Sequence, residues 1–157
     1  MDISLIITTY NWKEALGVSL TSVLAQTVSP CEVIVADDGS RPDTGELVRR
    51  VAAAASVPVI HSWQEDRGFR LAMSRNRAIA RARGAYIVLI DGDIILDHRF
   101  IEDHRDFARP SHFVQGTRVL LGPELSDQVL ASGELGRPLL ARGVENRKNC
   151  VRSLLLA

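Results

Sequence analysis

The sequence predicts an α/β domain with a mostly parallel central sheet and helices on both faces. Three observations carry that expectation. Short apolar, β-branched runs alternate with segments of helical periodicity; the runs at Ile3 to Thr9 and Ala85 to Ile90 are apolar along nearly their whole length, as strands buried on both faces are; and polar clusters follow the runs. Right-handed strand–helix–strand connections would bring those clusters to one sheet edge.

Ile3 to Thr9 reads as the first strand. Asn11 follows as a candidate cap for a helix running to about Thr27, in which Ala15, Leu16, Ser19, Leu20, Val23 and Leu24 recur at helical spacing. Ser29-Pro30 ends that helix, and Glu32 to Ala36 gives a second strand. Asp37-Asp38-Gly39-Ser40 is a turn, Asp43 to Ala55 a helix with an acidic start, and Pro58 to Trp63 a third strand. Gln64 to Arg70 is polar and broken by Gly68, so it predicts a loop leading into a helix from Leu71 to Arg83 that stops at Gly84. Ala85 to Ile90 is the fourth strand, followed by a helix over His98 to Ala108 and a strand over Phe113 to Leu121. Glycines at 122, 133, 136 and 143 punctuate the C-terminal stretch too often for one long element. The expected organisation is one domain: a core over 1–121 and an irregular, partly helical tail over 122–157.

Composition excludes several classes. Equal numbers of acidic and basic residues, 19 each, give no charge-driven case for nucleic acid. All the basic residues except Lys13 and Lys148 are Arg. Cys31 and Cys150 fit no metal-ligand spacing, and His61, His98, His104 and His112 form no zinc pattern. The Met1-Asp2-Ile3-Ser4 start lacks signal-peptide character, and no run reaches the roughly 20 apolar residues of a membrane span. A cytoplasmic setting is expected, with the inner face of the membrane open to it.

Tyr86-Ile-Val-Leu-Ile-Asp91-Gly-Asp93 is the most specific stretch. An apolar strand ending in two carboxylates one residue apart offers hard oxygen ligands to a divalent cation, against the plain alternative of an Asp-Gly turn. Glycine-rich dinucleotide and P-loop motifs are absent, so anionic phosphates need another counter-ion; a cation at Asp91 and Asp93 would supply it. Asp37 and Asp38 are placed to accept from a base or ribose, or simply to close a turn. Tyr10 suits base stacking or covering of the sheet edge. Arg67, Arg70 and Arg75 flank a helix start suited to an anion, whereas Arg77, Arg81 and Arg83 read as a solvated helix face.

Taken together, Ser4-Leu-Ile-Ile-Thr8-Thr9-Tyr10-Asn11, Glu32-Val-Ile-Val-Ala-Asp37-Asp38-Gly39-Ser40, Arg75-Asn76 and Asp91-Gly-Asp93 resemble the family 2 glycosyltransferases of GT-A type. Trp63-Gln-Glu-Asp-Arg-Gly68-Phe-Arg70, with Arg75-Asn76 after it, is similar to a bacterial subgroup of chondroitin-polymerase-like and surface-polysaccharide transferases. The resemblance implies a Rossmann-like nucleotide-sugar-binding domain. It implies inverting transfer of a sugar from a nucleoside diphosphate donor, with uridine favoured, to a hydroxyl of a carbohydrate or lipid-linked acceptor. It also implies Mn²⁺ or Mg²⁺ on Asp91 and Asp93, and nucleotide contacts from Thr8, Tyr10, Asp38, Arg70, Arg75, Asn76 and Asp91. Family members usually carry a carboxylate base further on, often in a Glu-Asp pair. After Asp93 the only such pair, Glu102-Asp103, comes too soon, and Glu124, Asp127, Glu134 and Glu145 stand in settings that select none of them, so the catalytic residue is unassigned. A shortened C-terminus is therefore expected, with a peripheral membrane or protein partner. The alternative function is a nucleotide-sugar-binding module without turnover of its own. A haloacid-dehalogenase-type phosphatase also uses Asp-x-Asp, but Ile94-Ile95-Leu96 follows here where a Ser or Thr is needed.

Overall fold

A computed structural model describes residues 1–133 and 143–146. Glu134, Lys148, Cys150 and the turn signals at 136–138 lie outside the described residues. The order of elements is β1 (Ile3–Thr9), α1 (Lys13–Leu24), β2 (Glu32–Asp37), α2 (Pro42–Ala54), β3 (Val59–Trp63), α3 (Leu71–Ile79), β4 (Tyr86–Asp91), α4 (Phe100–Phe107), β5 (Leu120–Leu121), α5 (Pro123–Ser132) and β6 (Val144–Glu145).

The first four strands form one parallel sheet in the order β3-β2-β1-β4. Every residue of β1 and β2 is buried, which is why the interior of each reads as largely apolar. Alternation divides the side chains between two cores. Ile3, Leu5, Ile7, Val33, Val35, Val88 and Ile90 meet Leu16, Leu20 and Val23 of α1, Val48 of α2 and Ile101 of α4 on one face. Ile6, Ile34 and Ala36 meet Ala78 of α3 on the other. Helices therefore lie on both faces, as expected.

Burial in the sheet forces its polar residues to be paired, Glu32 first among them. Glu32 opens β2 fully buried, and its carboxylate accepts from Ser4 Oγ at 2.6 Å, Arg83 N at 2.6 Å and Arg83 Nε at 3.0 Å. Burial alone would raise its pKa; the hydrogen bonds from Ser4 and Arg83 outweigh that and lower it. Arg83 is thus no mere solvated helix residue, contrary to the sequence reading. It sits beyond α3, which ends at Ile79 rather than Arg83, because tight turns from Ala78 and Ile79 take over.

Two further expectations are corrected. Asn11 does not cap α1: that helix starts at Lys13 after Trp12, with no side-chain cap. Asn11 instead adopts φ 50°, a conformation Asn tolerates, and ties its N–H to Ser40 Oγ and its Oδ1 to Arg41 N, both at 2.9 Å. The strand expected over Phe113 to Leu121 shrinks to Leu120–Leu121, paired antiparallel with β6. Residues 112–119 belong to no ladder, since β-propensity alone does not hold a strand without a partner edge. α5 packs against α1. Among the described residues no helix is long and apolar enough to cross a membrane.

Candidate functional site

Parallel register decides which side chains meet at the carboxyl edge. Thr8 pairs with Asp91 across β1 and β4, and Thr9 with Asp37 across β1 and β2. The three polar clusters singled out in sequence therefore converge on one edge, as the topology requires.

Asp37 and Asp38 part company there. Asp37 is fully buried, with Oδ1 accepting from Ser40 N at 2.7 Å and Oδ2 hydrogen-bonded to His61 Nε2 at 2.8 Å, so it holds the turn rather than facing a ligand. Asp38 directs its carboxylate to the β3–α3 loop: Oδ1 accepts from Gln64 Nε2, and Oδ2 accepts the Arg70 N–H at 2.7 Å, where α3 begins. Gly39 makes this possible. With φ 98° it lies under Asp66, and a Cβ there would sit 2.5 Å from the Asp66 Cα. Tyr10 reaches over the same loop, its hydroxyl donating to Asp66 Oδ2 at 2.9 Å; that bond to a carboxylate raises the phenol's pKa. Its ring remains half exposed.

On the other side, Asp91 Oδ1 accepts from Thr8 Oγ1 at 3.0 Å and from Arg75 Nη2 at 2.6 Å. Gly92 lets the acidic turn close on β1, since a Cβ would stand 2.6 Å from the Thr8 carbonyl oxygen. Asp93 is exposed at the rim of an apolar cleft lined by Trp12, Ile95, Leu121, Val129 and Leu130. Among the described residues no third His, Cys, Asp or Glu joins these two carboxylates. The donor set fits a cation that takes its other ligands from phosphate and water, as Mg²⁺ and Mn²⁺ do, and does not fit an all-protein cage.

Of the residues singled out in sequence, Thr8, Arg75 and Asp91 are in contact, and Asp38 touches the Arg70 backbone. The Arg70 guanidinium turns away to the Glu65 carbonyl, and Asn76 stands exposed on α3, tied to none of them by its side chain. His104 packs on Tyr86 and Phe100, where burial lowers its pKa. Sequence reasoning quoted Ser40, Trp63 and Gln64 within motifs and weighed His61 only as a zinc ligand, and gave none of the four its role at the site; the Trp63 indole N–H donates to the Ser40 carbonyl at 3.1 Å. Register carries the signal for two of them: His61 lies beside Val35, and Trp63 beside Asp37. Gln64 Oε1, Arg70 Nε, Ser74 Oγ and Arg75 Nε are buried without a hydrogen-bond partner, all on the β3–α3 loop or α3.

A parallel sheet carrying an Asp-Gly-Asp turn beside a β1 threonine and a β2 aspartate defines an α/β domain of GT-A type. A solved structure of S. aureus TarS 1-349 in complex with UDP-GlcNAc superposes with a TM-score of 0.59 at 26% identity, covering 68% of this chain and 31% of that one. The mannosyltransferase PcManGT from Pyrobaculum calidifontis, in complex with GDP-Man and Mn²⁺, shares the fold with a TM-score of 0.58 at 23% identity, over 83% of this chain and 39% of that one. Chondroitin synthase of Escherichia coli is 29% identical over 122 residues, 77% of this chain and 17% of the synthase. The chain spans less than a fifth of that relative. Residues 4–150 match the model of the family described as Glycosyl transferase family 2, and the chain belongs to that family.

Proposed function

We propose that the chain binds a nucleoside diphosphate sugar, a UDP-sugar by preference, and serves its transfer with inversion to a hydroxyl of a carbohydrate or lipid-linked acceptor in polysaccharide or glycoconjugate synthesis. The observation that carries this reading is the convergence of Thr8, Asp38, Asp91 and Asp93 on one sheet edge. In it, Asp38 accepts from the base with the lone pairs left over by Gln64 and Arg70. The half-exposed ring of Tyr10 stacks on the base. Thr8 contacts the nucleoside, Asp91 serves the ribose and diphosphate, and Arg70, Arg75 and Asn76 contact the donor, Arg70 once its guanidinium leaves the Glu65 carbonyl. Asp91 and Asp93 hold Mn²⁺ or Mg²⁺, which when bound supplies charge stabilisation for a departing nucleoside diphosphate. UDP-GlcNAc in the TarS complex supports the uridine reading. The proposed setting is cytoplasmic, the inner face of the membrane included, with a peripheral membrane or protein partner.

Calorimetric titration of the purified protein with UDP and with GDP, first with Mn²⁺ and then with EDTA, tests the reading. Metal-dependent heat with UDP is the expected result. Absence of binding to either nucleotide removes it. Release of free sugar from UDP-sugars, followed by chromatography, then separates an enzyme from a binding module.

A further inference from the structure

Asp91 is already occupied. Its Oδ1 receives both Thr8 Oγ1 and Arg75 Nη2, so the two lone pairs of that oxygen are taken. Asp93, one residue on, is engaged by no hydrogen bond or ion pair of the described residues. The two carboxylates are therefore unequal before any ligand arrives: one is paired with a guanidinium through Oδ1 while its Oδ2 is engaged by none of the described residues, and the other is open on both oxygens. Arg75 is well placed to keep that role. Its backbone belongs to α3, which is anchored to the sheet by buried Ser74 and Ala78 on either side of it. Its Nε is buried without a partner, leaving a guanidinium donor unused. The ion pair itself is not sealed, with the Arg75 side chain 35% and that of Asp91 51% exposed, so it can exchange.

A divalent cation approaching this edge alone meets a guanidinium beside one of its two ligands, and like charges repel. A diphosphate arriving with the cation changes the balance, because its oxygens accept from a guanidinium in a forked geometry at least as well as a carboxylate does. We propose that Arg75 is the resident counter-ion of Asp91, and that it yields Asp91 to a divalent cation only when a nucleoside diphosphate draws the guanidinium away. This deepens the reading above and rests on it for the identity of the anion. Cation and nucleotide then bind cooperatively, beyond sharing ligands, and the coupling is reciprocal. Arg75 acts as a positioning residue that makes the site respond to the cation–diphosphate pair rather than to the bare cation.

The test is titration with Mn²⁺ alone, read from the electron paramagnetic resonance of free Mn²⁺, and again with saturating UDP. Arg75→Gln is expected to tighten bare Mn²⁺ binding by about twofold to fivefold, the size of one half-exposed charge contribution. Arg75→Lys, which keeps a charge, is expected to stay near the wild-type value. The Arg75→Gln/Asp91→Asn double variant is expected to lose the gain. The factor by which UDP tightens Mn²⁺ is expected to shrink in Arg75→Gln. Unchanged or weaker bare Mn²⁺ binding in Arg75→Gln, with an unaltered circular dichroism spectrum, overturns the counter-ion role. An undiminished UDP effect overturns the hand-over to the diphosphate. If UDP binds neither protein, the nucleotide reading fails and the hand-over with it, while the bare-cation titration still decides what Arg75 does to Asp91.

Discussion

The Asp38 carboxylate accepts the backbone N–H of Arg70 at 2.7 Å, so the residue just past β2 also secures the start of α3. Its other oxygen accepts from Gln64 Nε2, and both partners are donors. Asparagine at this position would turn one donor against another. Asp38→Asn is therefore expected to cost about 1–3 kcal/mol, as a buried donor left unsatisfied does. Trypsin should cut sooner after Arg67, which lies in the loop that Asp38 pins. A melting temperature and a cleavage rate equal to wild type would show that the loop is held by other contacts.

Asp93 is the opposite case. It is exposed and carries no structural hydrogen bond among the described residues, so Asp93→Ala should leave stability within about 0.5 kcal/mol of wild type. Under the proposed function the same change removes the Mn²⁺-dependent part of UDP binding. Calorimetry with Mn²⁺ and with EDTA reads the difference directly. Equal affinities in the variant and the wild type under Mn²⁺ take Asp93 out of the cation site.

Gly92 sets the distance between the two carboxylates and β1. A methyl group there meets the Thr8 carbonyl oxygen at 2.6 Å, and β1 is buried along its whole length, so the strand has no room to shift. Gly92→Ala is expected to destabilise by about 1–3 kcal/mol, the usual cost of overpacking. It should also weaken any cation binding that needs both carboxylates. Gly116→Ala is the matching control, since nothing lies within 4 Å of its added Cβ. Denaturant midpoints that move equally in the two variants would refute the close approach at Gly92.

The legible and the illegible parts of the sequence separate along one physical line. β1 and β2 announce themselves because burial on both faces demands a largely apolar run. Asp91-Gly-Asp93 stands out because carboxylates end an apolar run, although that run is the edge strand β4, which exposes Leu89 and is not buried on both faces as its sequence suggested. The polar pairs that shape the site are different. Gln64 finds Asp38 across 26 positions, and Arg75 reaches Asp91 across 16, so neither leaves a local pattern. Asn11 misled because the residue types that cap helices also tolerate left-handed backbone, and only the contact with Ser40 and Arg41 decides between those uses. Phe113 to Val119 misled because strand propensity says nothing about whether an edge is there to receive it.

Glu32 gives the protein an acid-sensitive seam at the far edge of the sheet from the acidic turn. Ser4 and Arg83 hold its carboxyl below the ordinary value of 4.5 in spite of burial. Because the folded-state pKa is the lower one, the unfolded chain binds the proton more readily, and protonation favours unfolding. The stabilisation is complete at pH values above about 4.5 and is lost as pH falls through the lowered folded-state value. Stability by urea denaturation should accordingly drop on acidification through that range. Glu32→Gln is expected to be less stable at pH 7, since Arg83 loses its charged partner and one acceptor becomes a donor facing donors. The variant's profile below pH 4.5 should be flatter than the wild type's, so the two curves approach each other as pH falls. Curves that stay parallel from neutral to acidic pH would assign the acid lability to other carboxylates.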